Sequence, residues 1–313
     1  MNNFRTAGTY LLQCGICGNV RQLKCCFNNG RDMQHNHYIP QQYLLRFADS
    51  EGRVWLHDKE KKSDSSHPGV RVIGNELGLY SDEVETNLNL LAEVPSHAAF
   101  DKVIAGVPLS EADRAAFAKY VIVMRKRVPA AKVRSLGRIP GIADEVRSDL
   151  MTEIDELVVA DPTFESKAAG VRNQVTEYIQ KVKSAPPAHL WYESFGLDDI
   201  MLSEQALLSM NWVFLRSDSH QFLTSDNPVF FFSNEGLGRP QSELTFPVSS
   251  SIALWATRLP YTQGSYSDAA PSIVRQVNAR TAAYSKRFVF SKTNEPWIKP
   301  FTVKGRWSLE HLK

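Results

Sequence analysis

The sequence has no cysteine after Cys26 and no long apolar run. All four cysteines of the 313-residue chain lie within residues 1–32. The remaining chain cannot form a disulfide framework, which is typical of the reducing cytosol. No apolar stretch approaches the roughly 20 residues that span a bilayer. The composition therefore predicts a soluble cytoplasmic protein without membrane contact.

The chain also has little excess charge. Its 36 basic and 34 acidic residues give a net charge of +2, but residues 1–32 hold four of the basic residues and one acidic residue, so the remainder carries −1. Proteins that bind nucleic acid commonly show a strongly basic domain. The composition excludes a strongly basic domain, but it is compatible with a local basic patch.

Common catalytic signatures are missing as well. The sequence contains no GxGxxG after a strand, no GxxxxGK[ST] phosphate loop, no HExxH and no GxSxG. These absences exclude the usual sequence forms of dinucleotide-binding, P-loop, zinc-protease and serine-hydrolase sites.

The cysteines at the start of the chain have three interpretations. They are Cys14, Cys17, Cys25 and Cys26. The first two are spaced like zinc ligands, although adjacent cysteines chelate less readily. Residues 1–33 are alternatively a cysteine-rich extension ahead of a natural start at Met33, and the cysteines are alternatively free or redox-active.

Strand patterns occupy both ends of the remaining chain. RVWLHD (53–58) alternates like a half-buried strand. Later segments rich in β-branched and aromatic residues lie between turn residues. They cover residues 211–217, 221–226, 228–233, 244–248, 251–257 and 287–291.

Helical spacing fills residues 82–210. Ser110 is expected to cap a helix over 111–128, and Gly137–Gly141 to interrupt the pattern that follows. We therefore predict a single α+β domain over residues 34–313, with a mostly antiparallel sheet built from N- and C-terminal strands. A helical subdomain of about residues 82–210 is inserted between those strands.

Two stretches carry the candidate site residues. In HNHYIPQQYL, His35 and His37 lie on the same side of an extended segment, where they face one ion or only hold a loop. In FLTSDNPVFFF, Asp226 either projects into a cleft as a metal ligand or general base, or satisfies backbone N–H groups of a turn. Ser225 beside it is a candidate nucleophile, although the motif lacks the glycines of a sharp elbow.

Charged helical residues extend this list. Glu85 and Glu93 lie about two helical turns apart and share a face, so that they could contribute to a divalent-ion site. Arg125 and Arg127 could hold a phosphate, because guanidinium groups bind phosphate oxygens bidentately. Ordinary solvated faces are the alternative for both pairs.

The order of these motifs resembles a bacterial domain-of-unknown-function family, the one numbered 4238. HYIPQQYLLRFAD, GRVWLHD, TSDNPV, TFPVS and VNARTAAYSKRFVFS carry the resemblance over about residues 35–292. The matching positions are His37, Pro40, Tyr43, Leu44, Phe47, Ser225, Asp226, Pro228, Pro247, Asn278 and Arg287. The resemblance implies no activity.

Together these residues predict a metal-assisted phosphodiester hydrolase that acts on nucleic acid or another phosphate-containing ligand. The catalytic residues would be His37, Asp226 and Ser225. The ligands of a divalent metal ion would be His35, His37, Glu85 and Asp226, and the substrate-binding residues Arg125, Arg127 and Tyr43. The alternative is a non-catalytic binding or interaction module whose polar motifs are structural.

Overall fold

A computed structural model describes residues 35–61, 65–193, 197–232, 236–261, 264–303 and 305–307. The cysteine-rich start with Cys14, Cys17, Cys25 and Cys26 lies outside these residues, and its interpretations stay predictions. Within the described ranges, no helix combines the length and apolar character that a membrane crossing requires.

In the part of the chain that the structure describes, ten strands precede or follow a long helical stretch. The strands are β1 (His35–His37), β2 (Trp55–Asp58), β3 (Asn75–Leu77), β4 (Asn211–Arg216), β5 (Thr224–Ser225), β6 (Phe230–Phe231), β7 (Glu243–Pro247), β8 (Ile252–Thr257), β9 (Tyr266–Asp268) and β10 (Phe288–Ser291). The helices are α1 (Gln41–Leu44), α2 (Asp82–Leu88), α3 (Val94–Ala105), α4 (Glu111–Arg127), α5 (Pro129–Ala160), α6 (Glu165–Ser184), α7 (His189–Glu193), α8 (Leu197–Leu208) and α9 (Pro271–Tyr284). A π-helical turn (Asn89–Glu93) joins α2 to α3.

The strands form three sheets rather than one. β1 pairs with β3, β10 lies between β2 and β5, and the third sheet has the order β6-β7-β8-β4-β9. All pairs are antiparallel except β4 with β9. The α+β prediction is confirmed. The sheet of β2, β10 and β5 unites N-terminal with C-terminal strands as expected.

The described chain forms two compact units. The larger one comprises residues 35–132 and 192–307, and the smaller one residues 133–191. In the smaller unit α5 and α6 are joined by ion pairs from Arg172 to Asp155 and from Lys183 to Asp144. The helix break predicted at Gly137–Gly141 is wrong, since α5 continues through Pro140. The propensity of glycine and proline is a weak local preference that a long helix overrides here.

The core of the larger unit lies on both faces of the five-stranded sheet. On one face Phe117 of α4 contacts Trp212 and Phe214, with ring centroids 5.8 Å apart in each case. On the other face Val274 and Val277 of α9 pack against β4 and β8. α4 therefore belongs to the main core, although the sequence suggested a separate helical insert from residue 82.

Candidate functional site

Arg127 connects β1, α2 and the π-helical turn in the interior of the larger unit. Its side chain is 1% exposed and donates hydrogen bonds to Glu93 Oε1 and to the main-chain oxygen of His37. It also reaches the hydroxyl of Tyr80 at 3.0 Å and Glu85 Oε1 at 3.4 Å. Arg127 thus brings together Glu85, Glu93 and the main chain at His37 in one ion-pair network.

The electrostatics of this network follow from burial. Burial raises the pKa of Glu85, while the charges of Arg127 and His37 oppose that effect. Burial acts to lower the pKa of Arg127, but Tyr80, Glu93 and Glu85 hold it above its ordinary value. Arg127 is therefore a permanent cation between two carboxyl groups.

Arg127 is not placed to bind a phosphate, whereas the predicted role of the half-buried Arg125 stays a prediction. The charge of Arg127 is compensated by Glu93 and Glu85, and its side chain is buried. The guanidinium of Arg125 lies 4.0 Å from the ring centroid of Phe231. The structure therefore corrects the substrate-binding role of Arg127 and gives Arg125 an aromatic contact in the fold.

Asp226 braces the connection from α9 to β10. Its Oδ1 accepts the N–H of Lys286 at 2.8 Å, and its Oδ2 accepts those of Arg287 and Phe288 at 2.7 and 2.9 Å. The residue is buried, which raises the pKa of the carboxyl group, while these three bonds lower it. This geometry agrees with the turn-bracing interpretation.

Ser225 and Tyr43 are inaccessible in the core. Both residues are 0% exposed. Ser225 Oγ accepts the N–H of Asn227 at 3.2 Å, whereas the Tyr43 hydroxyl donates to the main-chain oxygen of Pro247 at 2.8 Å. A substrate cannot contact either side chain in this conformation, which contradicts their predicted roles as nucleophile and substrate-binding residue.

The two histidines of β1 contact β3, α1 and the helical turn Val70–Val72. His35 Nδ1 lies 2.9 Å from Asn75 Oδ1, and His37 Nε2 lies 3.3 Å from the main-chain oxygen of Arg71 and 3.2 Å from Gln41 Nε2. Across the described ranges, no three His, Cys, Asp or Glu side chains are grouped so that they could hold a metal ion. The predicted set of His35, His37, Glu85 and Asp226 is therefore not gathered into a metal site.

A large pocket lies beside β2 instead. Its volume is about 1090 Å³. Its walls come from β2 and the residues after it, and from the segment 294–303. The lining residues used below are Trp55, His57, Lys61, Glu295 and Lys299. Pockets of this size that contain residues with perturbed pKa values are the usual candidates for ligand sites.

His57 is a neutral histidine at this pocket. It is 8% exposed, and its Nε2 lies 2.9 Å from Ser291 Oγ, whose hydroxyl donates to the main-chain oxygen of Thr293 at 2.7 Å. Nε2 is then the donor in the His57–Ser291 bond, and Nδ1 is an acceptor. Burial lowers the pKa of His57 to about 4.

Two of the pocket lysines are exposed to solvent. No carboxylate of the described residues lies within ion-pair distance of Lys61 or Lys299. The acidic residues of the pocket have partners. Asp58 and Glu60 pair with Arg287, and Glu295 accepts hydrogen bonds from Trp297 and Thr293. Lys61 and Lys299 therefore line the pocket without an ion-pair partner among the described residues, beside Glu295, whose hydrogen-bond donors are uncharged.

The sequence pattern contained part of this information. The alternation of RVWLHD placed Trp55 and His57 on one face of a strand, and both residue types are common in ligand sites. Lys299 could not be recognised, because only the fold brings the segment 294–303 beside β2.

A family model matches most of the chain. The family model described as "Protein of unknown function (DUF4238)" matches residues 35–295. The chain belongs to this family. Neither a curated protein nor a solved structure matches the chain. Membership confirms the resemblance inferred from the motifs and carries no activity with it.

Proposed function

We propose that this chain is a non-catalytic binding protein and that its ligand contains a phosphate group and occupies the pocket beside β2. The observation that carries the proposal is the pair of exposed lysines, Lys61 and Lys299, on two segments that line one pocket of about 1090 Å³. Ammonium groups without carboxylate partners are available to bind an anion.

The polar motifs of the family support a structural role rather than catalysis. Asp226 holds three main-chain N–H groups, and Tyr43 and Ser225 are sealed in the core. Groups that satisfy buried backbone atoms cannot leave these partners without a penalty of about 1–3 kcal/mol for each. The polar residues of these motifs therefore stabilise the folded chain.

Calorimetric titration with inorganic phosphate and pyrophosphate at low ionic strength tests the proposal. We expect saturable binding that weakens as salt is added, because the ligand contacts are ionic. The double variant Lys61→Gln/Lys299→Gln should lose about tenfold or more in affinity. Lys292→Gln is the matched control, since Lys292 is exposed and does not line the pocket.

The result that would overturn the proposal is equal affinity in the double variant and the control, or no binding by the unmodified protein. The metal-assisted hydrolase remains the rival prediction. It would replace the binding proposal if purified protein cleaved a phosphodiester in the presence of a divalent metal and His37→Ala abolished cleavage without unfolding the protein.

A further inference from the structure

The indole ring of Trp55 is held in a fixed orientation at the same pocket. Its ring stacks on that of His67 with centroids 4.3 Å apart and an interplanar angle of 8°. His67 Nε2 lies 3.0 Å from Asp49 Oδ2. Asp49 Oδ1 in turn accepts the main-chain N–H groups of Glu51 and Arg53, both at 2.9 Å. This chain of contacts orders the indole before any ligand binds.

An ordered aromatic ring is a favourable surface for a planar ligand. One face of Trp55 is covered by His67, yet the residue also lines the pocket. Stacking on a ring that is already fixed avoids the entropy cost of ordering a mobile side chain. The part of the half-buried indole that lines the pocket is therefore the surface on which a second ring would stack.

The other groups of the pocket match a phosphorylated ring compound. Lys61 and Lys299 provide positive charge, and His57 contributes a neutral imidazole with a hydrogen-bond acceptor. The pocket volume of about 1090 Å³ greatly exceeds what a phosphate ion needs and is of the size that encloses a drug-sized ligand. An anionic group and an aromatic ring can therefore bind together.

We propose that the ligand is a free mononucleotide whose base stacks on Trp55 and whose phosphate lies at Lys61 and Lys299. This inference rests on the proposed function and names its ligand class. A nucleic acid chain fits less well, because residues 33–313 carry a net charge of −1 and polymers are bound along basic stripes.

The test compares four ribonucleoside monophosphates with ribose 5-phosphate by calorimetric titration of the full chain. Ribose 5-phosphate is the matched ligand that has the phosphate but no base. We expect at least one nucleotide to bind about tenfold or more tightly than ribose 5-phosphate, which is the effect of one stacked base. A single-stranded oligonucleotide of about twelve residues is titrated in parallel.

Variants of Trp55 then test whether the difference in affinity between nucleotides and ribose 5-phosphate comes from stacking on the indole ring. Trp55→Leu should abolish the tighter binding of the nucleotide and leave the affinity for ribose 5-phosphate unchanged. Trp55→Phe should retain most of the tighter binding of the nucleotide, because an aromatic ring remains. His67→Ala should reduce the difference in affinity between the nucleotide and ribose 5-phosphate, because the indole ring of Trp55 is no longer held in place. Tyr178→Leu is the control, since Tyr178 is an exposed aromatic residue of the smaller unit. Circular dichroism verifies that each variant is folded.

The outcomes separate this inference from the proposed function. Equal affinities for nucleotides and ribose 5-phosphate, both dependent on Lys61 and Lys299, would overturn the nucleotide inference and leave phosphate binding in place. Failure of every ligand, phosphate included, would overturn both. An oligonucleotide that binds more tightly than each mononucleotide would overturn the inference in favour of a polymer.

Discussion

The hydroxyl oxygens of Tyr43 and Thr224 lie 2.7 Å apart in the core, although 181 positions separate the two residues. This bond joins the HNHYIPQQYL segment to the FLTSDNPVFFF segment. Tyr43 also stacks on Phe246 with ring centroids 5.3 Å apart. The two motifs therefore meet as parts of one buried junction, which explains why their polar residues are bonded to each other and to the backbone.

Removal of the Tyr43 hydroxyl should weaken this junction without disturbing its packing. Tyr43→Phe keeps the ring but leaves the main-chain oxygen of Pro247 without this donor and the Thr224 hydroxyl without its acceptor. We expect a loss of about 1–2 kcal/mol in the free energy of unfolding in urea. Tyr178→Phe, at an exposed tyrosine, should stay within about 0.5 kcal/mol. Equal effects of the two changes would contradict a buried hydrogen-bonding role.

Asp226→Ala should destabilise the protein more strongly. It removes the acceptor of the Lys286, Arg287 and Phe288 N–H groups, and we expect a loss of about 3 kcal/mol or more in the free energy of unfolding. Asp226→Asn retains one acceptor oxygen and should lie between the alanine variant and the unmodified protein. The exposed Asp218→Ala serves as control. A stable Asp226→Ala protein would disprove the bracing role.

Arg127 should show strong coupling to Glu93. Arg127→Met alone leaves the partly buried carboxyl groups of Glu85 and Glu93 without their cation, so we expect a loss of up to about 3–5 kcal/mol. Glu93→Gln in the same protein should recover part of this loss. A double-mutant cycle on urea unfolding would then give a coupling energy of about 0.5–3 kcal/mol. A coupling energy of zero would mean that the close contact in the structure does not stabilise the fold.

The lowered pKa of His57 should make the free energy of unfolding depend on pH. Its pKa falls from 6.5 in the unfolded chain to about 4 in the fold. Between these values the unfolded state binds more protons than the folded state, so the free energy of unfolding should rise from pH 4 to about pH 6.5. The contribution of His57 is lost as the pH falls and amounts to roughly 3 kcal/mol at most.

His57→Gln should remove this part of the pH dependence. The measurement is the free energy of unfolding at several pH values between 4 and 7.5, with and without the substitution. His220→Gln is the matched control, because the His220 ring lies at the surface beside Ser219. Parallel curves for the unmodified protein and His57→Gln would contradict a buried neutral imidazole.

Local elements of the fold were accessible from sequence. Ser110 was expected to cap a helix over 111–128, and the structure contains α4 from Glu111 with Ser110 Oγ accepting the N–H of Asp113. Such caps involve residues only three positions apart, so the pattern contains both partners. The alternation of RVWLHD likewise predicted β2 from neighbouring residues.

The positions of the charged groups could not be predicted from local sequence patterns. Helical spacing did not show which of Arg125 and Arg127 would be buried. Arg127 is the buried residue because Glu93, Glu85 and the main-chain oxygen of His37 receive its hydrogen bonds. These acceptors come from segments 34 to 90 positions away. A local pattern cannot show which distant oxygen will compensate a buried charge.

The amino-acid sequence by itself determined the family, the α+β class and the helix and strand starts that depend on near neighbours. Tertiary structure alone decided that Asp226 holds three N–H groups of a segment some 60 residues onward, and that Lys61 and Lys299 line one pocket. The physical reason is range. Backbone propensity acts over a few residues, whereas desolvation and charge pairing act between whichever groups the folded chain brings together.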